Sequence, residues 1–246
     1  MTEESNATAP RGAEPEEMRP RKRRRSWFRR LVLTLLLVLC LPLFLIPIYS
    51  IVNPPVTTLM LVKRLGGAPI ERRWVPLDDI SPNLVNAVVM AEDAKFCRHH
   101  GIDLGELRAA WREAQKGGEM RGASTITMQT VKNLFLWPSR SYVRKAVEFP
   151  LALYADFVLS KRRILEIYLN VVEWDRGIYG AEAAAQHYFN RPAASLTRAE
   201  GARLAATLPA PDLRNPANPG PVTRDLARLF ARRAAAAGPH IDCLKK

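Results

Sequence analysis

Residues 81–101 read SPNLVNAVVMAEDAKFCRHHG. Ser81 before Pro82 has the chemistry of a helix N-cap followed by proline at the first helical position, where no amide hydrogen is missed. Leu84, Val85, Val88 and Val89 recur at helical spacing, and Glu92 lies four residues after Val88 and three after Val89, so a carboxylate continues an apolar stripe. This reading carries the helix through Phe96 to an end at His100-Gly101 and puts Glu92, Phe96 and His99 on one side. The plainer alternative is a surface glutamate paired with Lys95 or Arg98; the apolar stripe behind Glu92 speaks against it. A carboxylate among apolar neighbours has its charged form disfavoured, which lifts its pKa toward the range where general acid or base work is efficient.

Downstream, RGASTITMQTVKNLFL (121–136) combines small residues, the hydroxyls of Ser124, Thr125 and Thr127, the amide of Gln129 and the cation of Lys132. Hydroxyls and amides of this kind line sugar-binding grooves; a Ser/Thr turn capping the next helix is the alternative. WPSRSYVRKAVEFP (137–150) gathers Arg140, Arg144 and Lys145 before Glu148, with Arg144 and Glu148 spaced as an i,i+4 pair. With Lys132 these cations suit a pyrophosphate, although charge runs are commonly solvated helix faces. Helical periodicity returns in 103–116, 141–159, 161–174, 181–189 and 198–208, few segments alternate as strands do, and glycines and prolines mark the breaks. The fold class expected is mainly α, over about residues 70–235, followed by a C-terminal tail, 236–246.

Toward the N-terminus, RKRRRSWFRR stands directly before residues 31–52, which hold no charge and are long enough to span a hydrocarbon core of about 30 Å. A cleaved signal peptide would have a shorter apolar region and a small-residue cleavage site, and IYSIVNPP offers none. The reading is therefore an uncleaved single-pass anchor. Residues 1–30 form a disordered basic tail, and 53–69 a membrane-proximal linker whose apolar residues touch the outer leaflet. The positive flank puts the N-terminus in the cytoplasm and the rest in the periplasm. The net charge of +13 calls for an acidic partner; a basic flank set against an apolar helix favours membrane lipids over nucleic acid. Cys40, Cys97 and Cys243 show neither metal-ligand spacing nor a disulfide framework, and the expectation is three unpaired thiols, with a Cys97–Cys243 bridge as the alternative.

The ordered set EDAKFCRHHG, GASTITMQ with KNLFL, RKAVE, KRRILEIYLN and RGIYGAEAAAQHYF resembles the five motifs of the lysozyme-like peptidoglycan glycosyltransferases (glycosyltransferase family 51) in their monofunctional form, over roughly residues 70–215. The resemblance implies a lysozyme-like helical domain behind one transmembrane helix. It implies an activity that joins undecaprenyl-pyrophosphate-linked disaccharide-peptide units into β-1,4 glycan strands with inversion, in the inner membrane and alongside other cell-wall synthesis proteins. It places the catalytic carboxylate on Glu92, in the motif that supplies Asp93, Phe96 and His99, and the second glutamate on Glu148. It puts the pyrophosphate cations on Lys132 and Arg140, with Arg144 and Lys145 beside them, and Ser124, Thr125 and Gln129 in the substrate groove. Glu166, Tyr168, Asn170 and Gly180 match as well and read as structural.

Two departures stand out: Met128-Gln129 where the family often has two glutamines, and Cys97 where an aromatic is common. No cofactor is required on this reading, no protein metal site is called, and a divalent ion, Mg or Mn, is left open beside Glu148. A transpeptidase serine followed three residues later by lysine is missing, as are SDN and KTG elements, so strand polymerisation without cross-linking is expected. Alternatives are a membrane-anchored lysozyme-type glycosidase or lytic transglycosylase, which also suits a buried glutamate, and a non-enzymatic scaffold of the wall machinery. The cation cluster favours synthesis, because a hydrolase has no pyrophosphate to stabilise.

Overall fold

The computed structural model describes residues 22–117, 122–139 and 141–245. Most of the expected N-terminal tail, residues 1–21, lies outside the described residues, and so does Arg140. Helix α1 spans Lys22–Ile48 with Pro42 and Pro47 inside it. Its stretch Trp27–Ile48 has 22 residues and a mean hydropathy of 2.9, which at the helical rise is about 33 Å, enough for a hydrocarbon core. The helix thus starts within the basic run and stops at Ile48, where a span to residue 52 was expected; residues 49 and 50 already turn.

Two compact units divide after Leu41. In the first, Leu31, Leu33, Leu37 and Leu39 are exposed apolar side chains. The second begins at Pro42, so the domain takes in the segment read as a linker. Ile46, Tyr49 and Met60 are buried in its core. The Tyr49 ring stacks on Phe135, and Arg163 donates from Nε to the Tyr49 carbonyl at 2.7 Å and from Nη2 to Val52 O at 2.9 Å. Helix α2 (Thr58–Leu65) packs on helix α5 (Ile126–Phe135).

The remaining helices are α3 (Pro82–Glu92), α4 (Leu104–Gln115), α5 (Ile126–Phe135), α6 (Tyr142–Val158), α7 (Lys161–Val171), α8 (Ala181–Phe189), α9 (Arg198–Thr207) and α10 (Pro221–Ala235). The mainly α, lysozyme-like reading holds. Ser81 caps α3 through Asn83 N, with Pro82 at the first turn. Helix α3 lies against α9 and α10. The α3–α9 contact needs Gly201, since a Cβ there would stand 2.9 Å from the Asn83 carbonyl. Helix α7 is the centre: Ile164, Leu165, Ile167, Tyr168, Leu169 and Val171 are fully buried, and each such aliphatic contributes about 1.5–3 kcal/mol.

A small sheet escaped the sequence reading, because its strands are too short to show alternation. Strand β1 (Glu71–Arg72) pairs in parallel with β3 (Ile178–Tyr179), which pairs antiparallel with β2 (Glu173–Asp175).

The C-terminal residues are not a loose tail. Two short 3-10 turns, Gly238–His240 and Asp242–Leu244, follow α10, Leu244 is buried, and Cys243 is bonded to Cys97 across 146 residues. The expectation of three unpaired thiols is corrected here: only Cys40 is free. The alternative, a Cys97–Cys243 bridge, is what forms, because the return of α10 past α3 brings together a pair that spacing along the chain could not favour.

Candidate active site

Helix α3 ends at Glu92, earlier than the sequence suggested, because Asp93 leaves helical geometry (φ −160°) and turns its carboxylate to two partners. Its Oδ2 accepts the Ile126 amide at 3.0 Å and faces His99 Nε2 at 2.9 Å. A carboxylate on the first turn of α5 is favoured by the helix dipole. The turn that follows pulls Phe96 fully into the core. The expected shared face of Glu92, Phe96 and His99 therefore does not form, and Phe96 has no surface to offer a substrate.

Thr125 caps α5 through Met128 N at 3.1 Å and donates to the Gly101 carbonyl at 2.6 Å. It is buried, so capping, the alternative weighed from sequence, describes it. Gly101, at φ +79°, lies so close to α6 that a Cβ would stand 2.5 Å from Ala152 O. Lys161, on the first turn of α7, donates to the His99 carbonyl at 2.7 Å, pairs with Asp156 at 2.6 Å, and stands 4.7 Å over the Phe96 ring. Asp93, Thr125 and Lys161 thus fix the loop that leaves Glu92.

Glu92 is partly buried and is not paired with Lys95, which binds Asp103 and Glu106 instead. Its Oε2 accepts the Gln129 amide at 2.7 Å, and Gln129 Oε1 in turn accepts from Tyr168 OH at 3.3 Å. Burial pushes the Glu92 carboxyl above the usual carboxylate range, and the nearby Asp93 charge adds to this. The Gln129 hydrogen bond and the charges of Lys132 and Arg214 pull the other way without prevailing. The residue before Gln129, Met128, is fully buried: it faces the core, so the departure from a double glutamine leaves the site's surface unchanged.

On α5 and α6 the cations collect. Lys132 stands among Glu148, Arg144, Lys145 and Glu92, and burial, the largest influence, lowers its pKa. Lys145 Nζ donates to Ser124 Oγ at 2.9 Å and to Glu148 Oε1 at 2.8 Å. Among the described residues Glu148 takes its ion pair from Lys145, not from Arg144 as the i,i+4 spacing suggested. Glu148 is buried, with Oε2 unpartnered, and Arg144 Nε is a buried donor without an acceptor. A cleft of ≈ 270 Å³ opens here, lined by Gln129, Lys132 and Arg144 together with Lys63, Trp137 and Glu173.

The donor set does not fit a resident divalent ion. Such ions take several oxygen ligands, whereas the carboxylates nearest Lys132, Glu148 and Glu92, stand among the cations Lys132, Arg144 and Lys145, and the described residues hold no cluster of three His, Cys, Asp or Glu side chains. Three residues were undervalued from sequence. Tyr168, read as structural, orients Gln129, and a buried phenol's need for a partner was the available signal. Lys161 opens the KRRILEIYLN motif but was given no role there, and Arg214 carried no local signal at all.

A raised, amide-tethered carboxylate beside partly buried cations on a lysozyme-like helical frame defines an enzyme of glycosyl chemistry. Residues 60–235 match the family model described as Transglycosylase. A protein of Brucella suis biovar 1 (strain 1330), described as a biosynthetic peptidoglycan transglycosylase, is 53% identical over 223 residues, covering 89% of this chain and 100% of its own. Proteins of the same description from Mesorhizobium japonicum and Agrobacterium fabrum are 52% and 51% identical, over 92% and 89% of this chain and 96% and 98% of their own. The chain belongs to the transglycosylase family and is a peptidoglycan glycosyltransferase, acting on the glycan strand of the wall.

Proposed function

We propose that the chain polymerises an undecaprenyl-pyrophosphate-linked disaccharide-peptide, transferring the growing strand to the 4-hydroxyl of the incoming unit with inversion. An alcohol is a weak nucleophile and needs a base; Glu92, lifted by burial and held by Gln129, takes that proton. Pyrophosphate leaves without protonation, so positive charge aimed at it carries the rest of the work. Lys132, Arg144 and Arg140 supply that charge. Lys145, held by Glu148 and Ser124, stands beside Lys132, so Glu148 positions a cation rather than moving a proton. His99 and Asp93 shape the loop beside the base. No cofactor takes part, and a divalent ion, Mg or Mn, enters only as the counter-ion of the pyrophosphate.

The observation that carries this reading is the placement of Glu92 beside a partly buried cation cluster on α5 and α6, in which Arg144 Nε has no acceptor. An anchor through residues 27–48, oriented with its basic flank in the cytoplasm, keeps the enzyme on the bilayer where both lipid-linked substrates reside, in contact with membrane lipids and other wall-synthesis proteins. The Cys97–Cys243 bond agrees with that orientation, since disulfides persist in the periplasm and are rare in the cytosol.

The test is incubation of detergent-purified protein with the lipid-linked disaccharide, with and without lysozyme digestion of the product. Lysozyme-sensitive polymer is expected; fragmentation of preformed strands without polymer would overturn the reading. The same protein should take no covalent label from penicillin, because no described serine is followed three residues later by lysine.

A further inference from the structure

The turn after Glu92 is gripped from within by α5 and α7, at Asp93, His99 and Gly101. Between those points, the C-terminal segment grips it from the other side. His240 Nδ1 donates to the Ala94 carbonyl at 2.9 Å, and Cys243 is bonded to Cys97 with Cα atoms 5.5 Å apart. These attachments flank Phe96. The segment is itself seated: Ala237 and Leu244 are buried, and Arg162 donates to the Leu244 carbonyl and pairs with Asp78. Arg162 adjoins Lys161, so one turn of α7 braces the loop directly and also the segment that holds it. This segment follows the last residue of the family match, which ends at 235.

We propose that residues 236–245 form a disulfide-locked strap that holds loop 93–102, and through it Glu92, in working position, so that turnover follows the oxidation state of the Cys97–Cys243 pair. The proposal rests on Glu92 as the base. The strap acts by position only: it touches no reacting atom. Reduction by dithiothreitol breaks the sulfur–sulfur bond, delivers two electrons and two protons to give the Cys97 and Cys243 thiols, and leaves the reagent as its cyclic disulfide.

A full-length Cys40→Ser protein, which has no third thiol to exchange, serves as the parent. It is compared before and after dithiothreitol and with a Cys97→Ala/Cys243→Ala version. Small displacements of a catalytic group cost up to about a hundredfold, and a loop loosened at one side should lose about tenfold in kcat with KM within about twofold. Reoxidation should restore the parent, and the alanine version should sit at the reduced level and ignore the reagent. Amide hydrogen exchange should rise at residues 94–102 in both and stay unchanged in α5, α7 and α9.

Equal turnover with and without the bond would overturn the proposal. So would a loss accompanied by faster exchange throughout the domain, which would make the bond a general stabiliser. If the oxidised parent makes no polymer, the base assignment fails, while exchange confined to 94–102 still establishes the strap's hold on the loop.

Discussion

The N-terminal half of α6 and the body of α7 treat buried polar groups in opposite ways. On α7, Asn170 is saturated: Oδ1 accepts Val75 N at 2.9 Å, and Nδ2 donates to the carbonyls of Val75 at 2.9 Å and Glu166 at 2.8 Å. Glu166 accepts the Leu77 amide at 3.0 Å and pairs with Arg163. On α6, Glu148 keeps one oxygen unpartnered and Arg144 keeps a buried donor. Buried polar groups without partners are costly. Where the chain spends all its hydrogen-bonding capacity on itself it is building a frame, and where it withholds some, next to a cleft, it is waiting for a ligand.

The strongest challenge to that division is Glu92→Gln, which preserves shape and removes basicity. Turnover should fall at least about a hundredfold, the low end for lost acid–base catalysis, with the fold intact. Because burial raises the Glu92 pKa, the folded state binds more protons than the unfolded one from the ordinary carboxylate range up to the raised value. Stability contributed at this site is therefore full below that range and falls as pH rises through it. Glu92→Gln should be more resistant to denaturant than the parent at neutral pH and lose that advantage near pH 4. The parent's rate should fall on the acid side, at an apparent pKa above that of an ordinary glutamate. Near-normal polymerisation by the folded variant would sink the assignment.

On the frame side, Asn170→Ala strands both backbone groups of Val75 and should cost about 2–3 kcal/mol in denaturant unfolding, with the rate per folded molecule preserved. A variant of normal stability but lost activity would erase the distinction between the helices. Lys132→Met should do the reverse. It should lower kcat/KM about tenfold, one charge-assisted contact to the leaving group, while leaving stability unchanged or improved, since a partly buried cation beside Arg144 and Lys145 is removed. Unchanged kinetics would move the pyrophosphate site elsewhere. The smallest effect belongs to Tyr168→Phe, which sits on the boundary. Loss of one neutral hydrogen bond, about 1 kcal/mol, should appear as a few-fold fall in kcat through a less firmly oriented Gln129; an effect on stability alone would return Tyr168 to the frame.

The helices were legible because their signals are local. Ser81-Pro82, the stripe ending at Glu92 and the run of α7 each lie within one window of the sequence, and the motifs around Glu92, Gln129, Lys132 and Glu148 kept their spacing. The errors arose where a distant partner decided the matter. Asp93 ends α3 because Ile126 and His99 claim its carboxylate; nothing near residue 93 announces this. Phe96 is drawn inward under Lys161, a residue on another helix. Lys145 wins Glu148 from Arg144 because Ser124, from a different segment, holds it in place.

By itself, the sequence determined the apolar helix long enough for a membrane, the mainly α domain, the carboxylate at the end of α3 and the cations that follow it, because hydrophobic period, capping chemistry and charge are properties of neighbouring residues. Tertiary structure alone decided where the domain begins and ends, that residues 42–53 and 236–245 belong to it, that Cys97 meets Cys243, and that Tyr168 reaches Glu92 through Gln129. Those outcomes depend on closing loops of tens to hundreds of residues. The free energy that closes them comes from burying the faces of α3, α5, α7 and α9 against one another, and no local pattern records which side chains such closure brings into contact.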